Sequence, residues 1–188
     1  MDKKLILLAA PSGGGKSTIA KYILKNNSRI IFSISAATRQ PRGEERNGID
    51  YYFISEKEFI DKINQNAFVE WEMVYEGKYY GTLKSELERI WEENKIPILD
   101  IDVKGAIHVK QIYGDSCLTI FIMPPSIEEL RKRLLARNTD SAENIETRVN
   151  KASYELSFKD AFDRIIINDD IHKACKETEQ AVNDFIQN

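Results

Sequence analysis

The sequence predicts an α/β fold, a parallel sheet flanked by helices with a smaller lobe inserted into it. Three observations carry that prediction. Continuous apolar runs recur along the 188 residues, the pattern of strands buried on both faces. Segments with apolar residues at helical spacing separate them, and strands alternating with helices assemble as parallel sheets. A triple glycine, Gly13-Gly14-Gly15, joins the first apolar run to the first helical pattern.

Taken in order, Leu5 to Ala10 is the first strand, ended by Pro11 and the glycines. Ser17 to Asn26 carries Ile19, Ala20, Ile23 and Leu24 at helical spacing. Arg29 to Ser35 reads as the second strand, and Ile96 to Asp102, Leu118 to Met123 and Phe162 to Asn168 as further buried strands. Helical patterns between them include Lys84 to Asn94 and Ile127 to Arg137. The second of these follows Pro124-Pro125 and opens with Ser126 and Glu129 as a capping box. The last segment sets Ile171, Ala174, Cys175, Thr178, Ala181, Val182, Phe185 and Ile186 on one face, an amphipathic helix that closes the core. Residues 36–82 break the rhythm. Ile49 to Ile54, Phe68 to Val74 and Tyr79 to Gly81 are alternating or aromatic runs, separated by Arg-Gly, Asn-Gly and Glu-Gly turns. They predict an inserted lobe of mixed, largely antiparallel strands. No internal repeat or low-complexity linker divides the chain, so a single domain is expected.

Composition narrows the function. Lys plus Arg number 27 against 30 Asp plus Glu, a net charge of -3, which argues against a generic nucleic-acid or anionic-membrane binder. The apolar run Leu5 to Ala10 is too short for a secretory core or a membrane span. Cys117 and Cys175 form no CxxC pair and are expected to be separate buried thiols, in a reducing compartment, the cytoplasm. His108 and His172 lie in lysine-bearing helical stretches without a paired nucleophile and are expected to be solvated. The sequence specifies no oligomeric state.

The chemistry starts at Ala10-Pro11-Ser12-Gly13-Gly14-Gly15-Lys16-Ser17-Thr18. A small anion needs many converging donors. Glycines expose backbone N–H groups without obstruction, and the following helix adds its positive end. Lys16 is expected at the β- and γ-phosphates of a nucleotide and the Ser17 hydroxyl at Mg²⁺. Ala10 stands where the usual pattern has glycine, a small perturbation where φ is negative. Arg39 and Arg42, flanking Pro41, suit bidentate recognition of a second phosphate. Glu70 in an aromatic run and Asp100 and Asp102 at a strand end need partners, because an unpaired buried charge is costly. A carboxylate in the position of Asp100 commonly helps hold Mg²⁺, directly or through water. Asp100 and Asp102 are expected to face opposite sides and serve different ligands, or one of them to be structural.

Together the segments PSGGGKST, SxSAATRxPR, NGIDYYFIS, FVEWEMV…YYGT, ILDIDVKG, FIMPPSIEELRKRLLAR and IINDD resemble the guanylate kinase family, in its order and over residues 5–170. The resemblance implies a P-loop core (residues 1–35, 83–125 and 158–188), a GMP-binding lobe (36–82) and a helical lid (126–157). It implies that Pro11, Ser12, Gly13, Gly14, Gly15, Lys16, Ser17, Thr18 and Asn168 bind ATP. It implies that Arg39, Arg42, Tyr51 and Tyr80 hold the GMP phosphate, and that Ser35, Glu70, Thr82 and Asp102 surround guanine. Thr82 stands where the family usually has serine, and Glu44 where it often has glycine. Read by themselves, Arg133 and Arg137 are a charged helix face, with Glu129 four residues before Arg133. By resemblance, they and Arg148 are lid arginines that close on the phosphates. Asn168 is an adenine contact by resemblance, or a helix cap beside Asp169 and Asp170.

The expected activity is therefore in-line transfer of the ATP γ-phosphoryl group to GMP and dGMP. Catalysis would rest on Lys16, Arg42, Arg133, Arg137, Arg148 and Mg²⁺, held by Ser17 and Asp100. Partners would be the nucleotides alone, with neither nucleic acid nor membrane. A kinase for another monophosphate is opposed by Glu70 and Asp102. A non-catalytic interaction module is opposed by the intact Gly15-Lys16-Ser17.

Overall fold

The computed structural model describes residues 3–136 and 142–187. Its strands are β1 (Leu5–Ala9), β2 (Ile30–Phe32), β3 (Ala36–Ala37), β4 (Tyr52–Phe53), β5 (Phe68–Tyr75), β6 (Lys78–Leu83), β7 (Ile96–Asp100), β8 (Cys117–Met123) and β9 (Arg164–Ile167). Its α-helices are α1 (Lys16–Asn26), α2 (Glu56–Asn64), α3 (Lys84–Glu92), α4 (Val103–Tyr113), α5 (Ile127–Ala136), α6 (Ala142–Leu156) and α7 (Ile171–Gln187). The core sheet runs β2-β7-β1-β8-β9, all parallel. β1 is its central strand, which is why Leu5 to Ala9 is uninterruptedly apolar and fully buried. Strand alternation sends Ile6 and Leu8 to a layer with Ile19, Ile23, Ala174 and Val182 of α1 and α7. Leu5 and Leu7 go to the opposite layer, with Leu87, Ala106 and Val109 of α3 and α4. Helices α1 and α7 thus cover one face of the sheet and α3 and α4 the other.

The lobe is a second sheet, β4-β3-β6-β5, in which β3 pairs parallel with β4 and antiparallel with β6. It has its own core. Phe59 of α2 is fully buried, its ring stacked on Phe68 at 4.3 Å and on Tyr79 at 5.3 Å. The alternating pattern did not predict α2, although its cap was legible: the Ser55 hydroxyl accepts the Glu58 N–H at 3.1 Å. β5 and β6 press together at Gly81, where a Cβ would lie 2.7 Å from the Glu70 carbonyl oxygen. The lid helices α5 and α6 share a small core of Leu130, Leu134, Ile145, Val149 and Ala152.

Several boundaries are tighter than the sequence suggested. β2 ends at Phe32, and β7 ends at Asp100 because Asp102 caps α4, its carboxylate accepting Lys104 N–H at 2.8 Å and Gly105 N–H at 3.1 Å. The expectation that Asp100 and Asp102 face opposite sides is corrected in its reasoning. Residues two apart in a strand share a face; the strand stops at Asp100, and both carboxylates line one cavity. Ser126 caps α5, accepting the Glu129 N–H at 3.1 Å, but Glu129 turns to Arg133 and the box is not reciprocal. α7 is capped by Asp170, which accepts the Lys173 N–H at 2.8 Å. Cys117 and Cys175 are free and buried, and burial pushes the Cys117 thiol up to about 12. His108 and His172 are exposed. Among the described residues, no helix is long and apolar enough to cross a membrane.

Candidate active site

Core, lobe and lid converge on a cavity of about 520 Å³. It opens where β1 and β7 end, the crevice at the carboxyl edge that parallel sheets offer to ligands. The phosphate loop forms its floor. Gly13 and Gly15 hold φ near 93° and 99°, a left-handed backbone open to glycine, and Gly15 starts α1. In the first turn of α1 the Thr18 N–H already donates to the Gly15 carbonyl at 3.1 Å, so the N–H groups left for an anion are those of Lys16 and Ser17. The Lys16 ammonium is ion-paired with Asp100 and donates to the Ile101 carbonyl at 3.3 Å, so a cation waits beside the loop.

Asn168 meets this loop from behind. Its side-chain amide donates to the Gly14 carbonyl at 2.8 Å, and its backbone N–H donates to Met123 at 2.8 Å. Asn168 is 4% exposed and outside the cavity lining, and a Cβ on Gly15 would lie 2.1 Å from its amide nitrogen. It braces the loop. The cap of α7 falls to Asp170 instead.

From the lobe, Arg39 arrives fixed. Its two terminal nitrogens donate to Glu45 at 2.5 and 2.7 Å, its Nε donates to the Tyr80 hydroxyl at 3.1 Å, and its guanidinium lies 4.8 Å from the Tyr51 ring centre. The bond to Glu45 raises the Arg39 pKa further, and Arg39 holds Glu45 down at about 2. Tyr51, Tyr80 and Ser35 line the cavity. Arg42 does not. It is exposed on an outer loop with Glu44, Arg46 and Asp50, and its backbone N–H donates to Glu45 at 2.8 Å.

At the other end sits Glu70, 8% exposed, with one carboxylate oxygen accepting the Thr82 hydroxyl at 2.7 Å. Burial lifts its pKa to about 7. Thr82 is 1% exposed and stands behind Glu70, orienting it, outside the lining itself. The remaining oxygens converge. A Cβ on Gly105 would lie 3.0 Å from Asp102 Oδ2 and 3.2 Å from Glu70 Oε2, so two carboxylate oxygens from different elements approach one point. Glu72 lines the same wall, two residues on from Glu70 and therefore on the same strand face.

The lid contributes α6. Arg148 donates to the Ser12 hydroxyl at 2.7 Å, and Lys151 and Glu155, three and seven residues further along the helix, line the cavity below it. Arg133 pairs with Glu129 at 3.2 Å on α5, the bland alternative weighed from the sequence. Arg137 lies outside the described residues. Sequence reasoning missed Glu45, Glu72, Lys151 and Glu155. The period-2 step from Glu70 and the helical step from Arg148 were signals for all but Glu45.

The family model described as guanylate kinase matches residues 2–185. The chain belongs to the guanylate kinase family. It is 52% identical over 184 residues to a guanylate kinase of Porphyromonas gingivalis, covering 97% of this chain and 98% of the relative. It is 48% identical over 186 residues to one from Bacteroides thetaiotaomicron, covering 99% of this chain and 91% of the relative. A crystal structure of guanylate kinase from Anaplasma phagocytophilum superposes with a TM-score of 0.75 at 30% identity, covering 96% of this chain and 84% of that one. The parallel sheet flanked by helices and the second, mixed sheet described above are therefore those of a guanylate kinase family member.

Proposed function

We propose that this chain transfers the ATP γ-phosphoryl group to GMP, and to dGMP, giving ADP and GDP. The observation that carries the acceptor is that two carboxylates, Glu70 and Asp102, line the cavity that begins at the glycine loop, with an oxygen of each beside Gly105. Guanine presents two donors there, N1–H and the 2-amino group. Adenine presents neither, and would leave a desolvated acceptor unpaired at a cost of about 1–3 kcal/mol. Ser35 would complete the base site, with Thr82 setting Glu70 behind it.

Arg39 with Tyr51 and Tyr80 would hold the acceptor phosphate, the arginine kept in place by Glu45. Pro11 to Thr18 would cradle the ATP phosphates, with Asn168 keeping the loop in shape. Lys16 would exchange its Asp100 contact for the β- and γ-phosphates. Ser17 and Asp100 both line the cavity and offer the hard oxygens that Mg²⁺ takes, in the small number that leaves room for phosphate and water. They would hold the ion, which when bound neutralises charge on the bridging phosphates. No covalent enzyme intermediate is required, since positioning and charge stabilisation suffice for in-line transfer.

Arg148 already reaches the phosphate loop and is the lid residue best placed to meet transferring charge. Arg133 and Arg42 would act only once lid and lobe close, and Arg137 would join them as a lid arginine. In this reading residues 36–82 and 126–157 move against a core of 1–35, 83–125 and 158–188, and closure excludes water. Two free, buried cysteines fit a reducing cytoplasm, and an overall negative charge opposes generic nucleic-acid or anionic-membrane partners, leaving the nucleotides, bound by local cations, as the partners. A coupled ADP-release assay with GMP, dGMP, AMP, UMP and dTMP tests the assignment. GMP should exceed AMP in kcat/KM by at least about tenfold; equal values would overturn the guanine reading.

A further inference from the structure

Glu86 lies behind the acceptor lobe, in the first turn of α3 where the chain returns from the lobe to the core, and is only 2% exposed. Three segments end on its carboxylate. The Ile34 backbone N–H donates to Oε1 at 3.1 Å, the Tyr52 hydroxyl donates to Oε2 at 2.8 Å, and the Arg89 guanidinium grips both oxygens at 2.9 and 3.0 Å. A buried carboxylate is costly to desolvate, and an apolar residue of the same size packs as well or better where only stability matters. The positions of the partners explain what a carboxylate does here. Ile34 immediately precedes Ser35, Tyr52 immediately follows Tyr51, and the Tyr52 N–H donates to the Ser35 carbonyl at 2.9 Å. Both cavity-lining residues are therefore one peptide away from a bond to Glu86.

We propose that Glu86 is a positioning residue: through Ile34 and Tyr52 it fixes Ser35 and Tyr51 against the core and so sets the acceptor edge of the cavity without touching substrate. The inference rests on reading that edge as the GMP site. It predicts a selective defect. Glu86→Gln keeps the volume but loses the charge that holds three donors, and should raise KM for GMP about tenfold, with kcat at saturating GMP and KM for ATP changing less than about twofold. Tyr52→Phe removes one of the bonds and should raise KM for GMP by a smaller factor, about threefold. Because both changes cut one link, the double variant should be no worse than Glu86→Gln alone.

Ser35→Ala and Tyr51→Phe serve as references. If they raise KM for GMP while Glu86→Gln and Tyr52→Phe do not, the positioning role is wrong and the acceptor site stands. If Glu86→Gln lowers kcat and worsens both KM values in proportion, Glu86 is merely structural and the proposal is overturned. If none of the four variants moves KM for GMP, the acceptor reading fails and the proposal falls with it. Tyr52→Phe alters a single hydroxyl, which keeps the test available should Glu86→Gln fold poorly.

Discussion

Glu70 is pulled two ways. Burial favours the neutral acid, with a pKa near 7, whereas guanine's two donors require the carboxylate. Its folded-state pKa lies above the unfolded value, so the folded protein binds more protons in the window from about 4.5 to about 7. The stability that protonation supplies is fully present below that window and is lost as pH rises through 7. Glu70→Gln should therefore stabilise the ligand-free protein at about pH 8, by up to about 3 kcal/mol, and do little at about pH 5, as thermal melts at the two pH values would show. Binding runs the other way. KM for GMP should climb as pH falls from about 8 to 6, beyond what the substrate phosphate's own titration near 6 causes, and Glu70→Gln should abolish the extra climb. Identical KM profiles for both proteins would remove Glu70 from base recognition. Nothing local in the sequence reveals this conflict. Phe68 to Trp71 marks Glu70 as a carboxylate in apolar company, but its depth and its bond to Thr82 come from the pairing of β5 with β6.

At the level of elements, the phosphate loop depends on a side chain 154 positions away. Asn168→Ala leaves the buried Gly14 carbonyl unpaired and should cost about 1–3 kcal/mol in stability while weakening ATP binding, measurable by calorimetry and thermal melts. Gly15→Ala should be worse, because the added methyl meets Asn168 and the backbone keeps a left-handed φ. A binding constant for ATP unchanged by Asn168→Ala would show that the loop holds its shape alone. The strand–glycine loop–helix unit itself was legible because its signals are contiguous. α2 escaped because its nine residues sit between aromatic, alternating runs that read as strands, although Phe59, Ile60 and Ile63 at helical spacing and the cap of Ser55 on Glu58 were there to find. The lid helices were half legible: their apolar stripe shows, but whether Arg133 serves ATP or Glu129 is not written in the spacing.

For the whole molecule, the cavity exists only while core, lobe and lid lie around it. Arg148 on α6 touching Ser12 is the direct bridge from lid to phosphate loop. Arg148→Ala should lower kcat by about 10³ or more, with the thermal midpoint near that of the parent, in steady-state kinetics alongside a melt. Turnover within a few-fold of the parent would show that closure needs no charge from this helix. Ligand should also draw the parts together. GMP at about 100 times its dissociation constant should stabilise the fold by about 2.7 kcal/mol, a rise of roughly 5–10 °C in midpoint, and AMP at the same concentration by much less.

The sequence by itself determined the alternation of strands and helices in the core, the glycine loop, the inserted lobe and the kind of chemistry. Each of these is a pattern over neighbouring residues, set by burial period, glycine and caps. Only the tertiary structure decided which groups meet. Asp102 and Glu70 each bring a carboxylate oxygen beside Gly105 because α4 begins where β7 stops and packs against β5, and Asn168 braces Gly14 because β9 lies beside β8. Arg39 is buried behind the cavity-lining Tyr51 and Tyr80 with its fork filled by Glu45, while Arg42, three residues on, faces solvent. Such partnerships depend on distances between segments remote in the chain, which packing sets and local spacing does not.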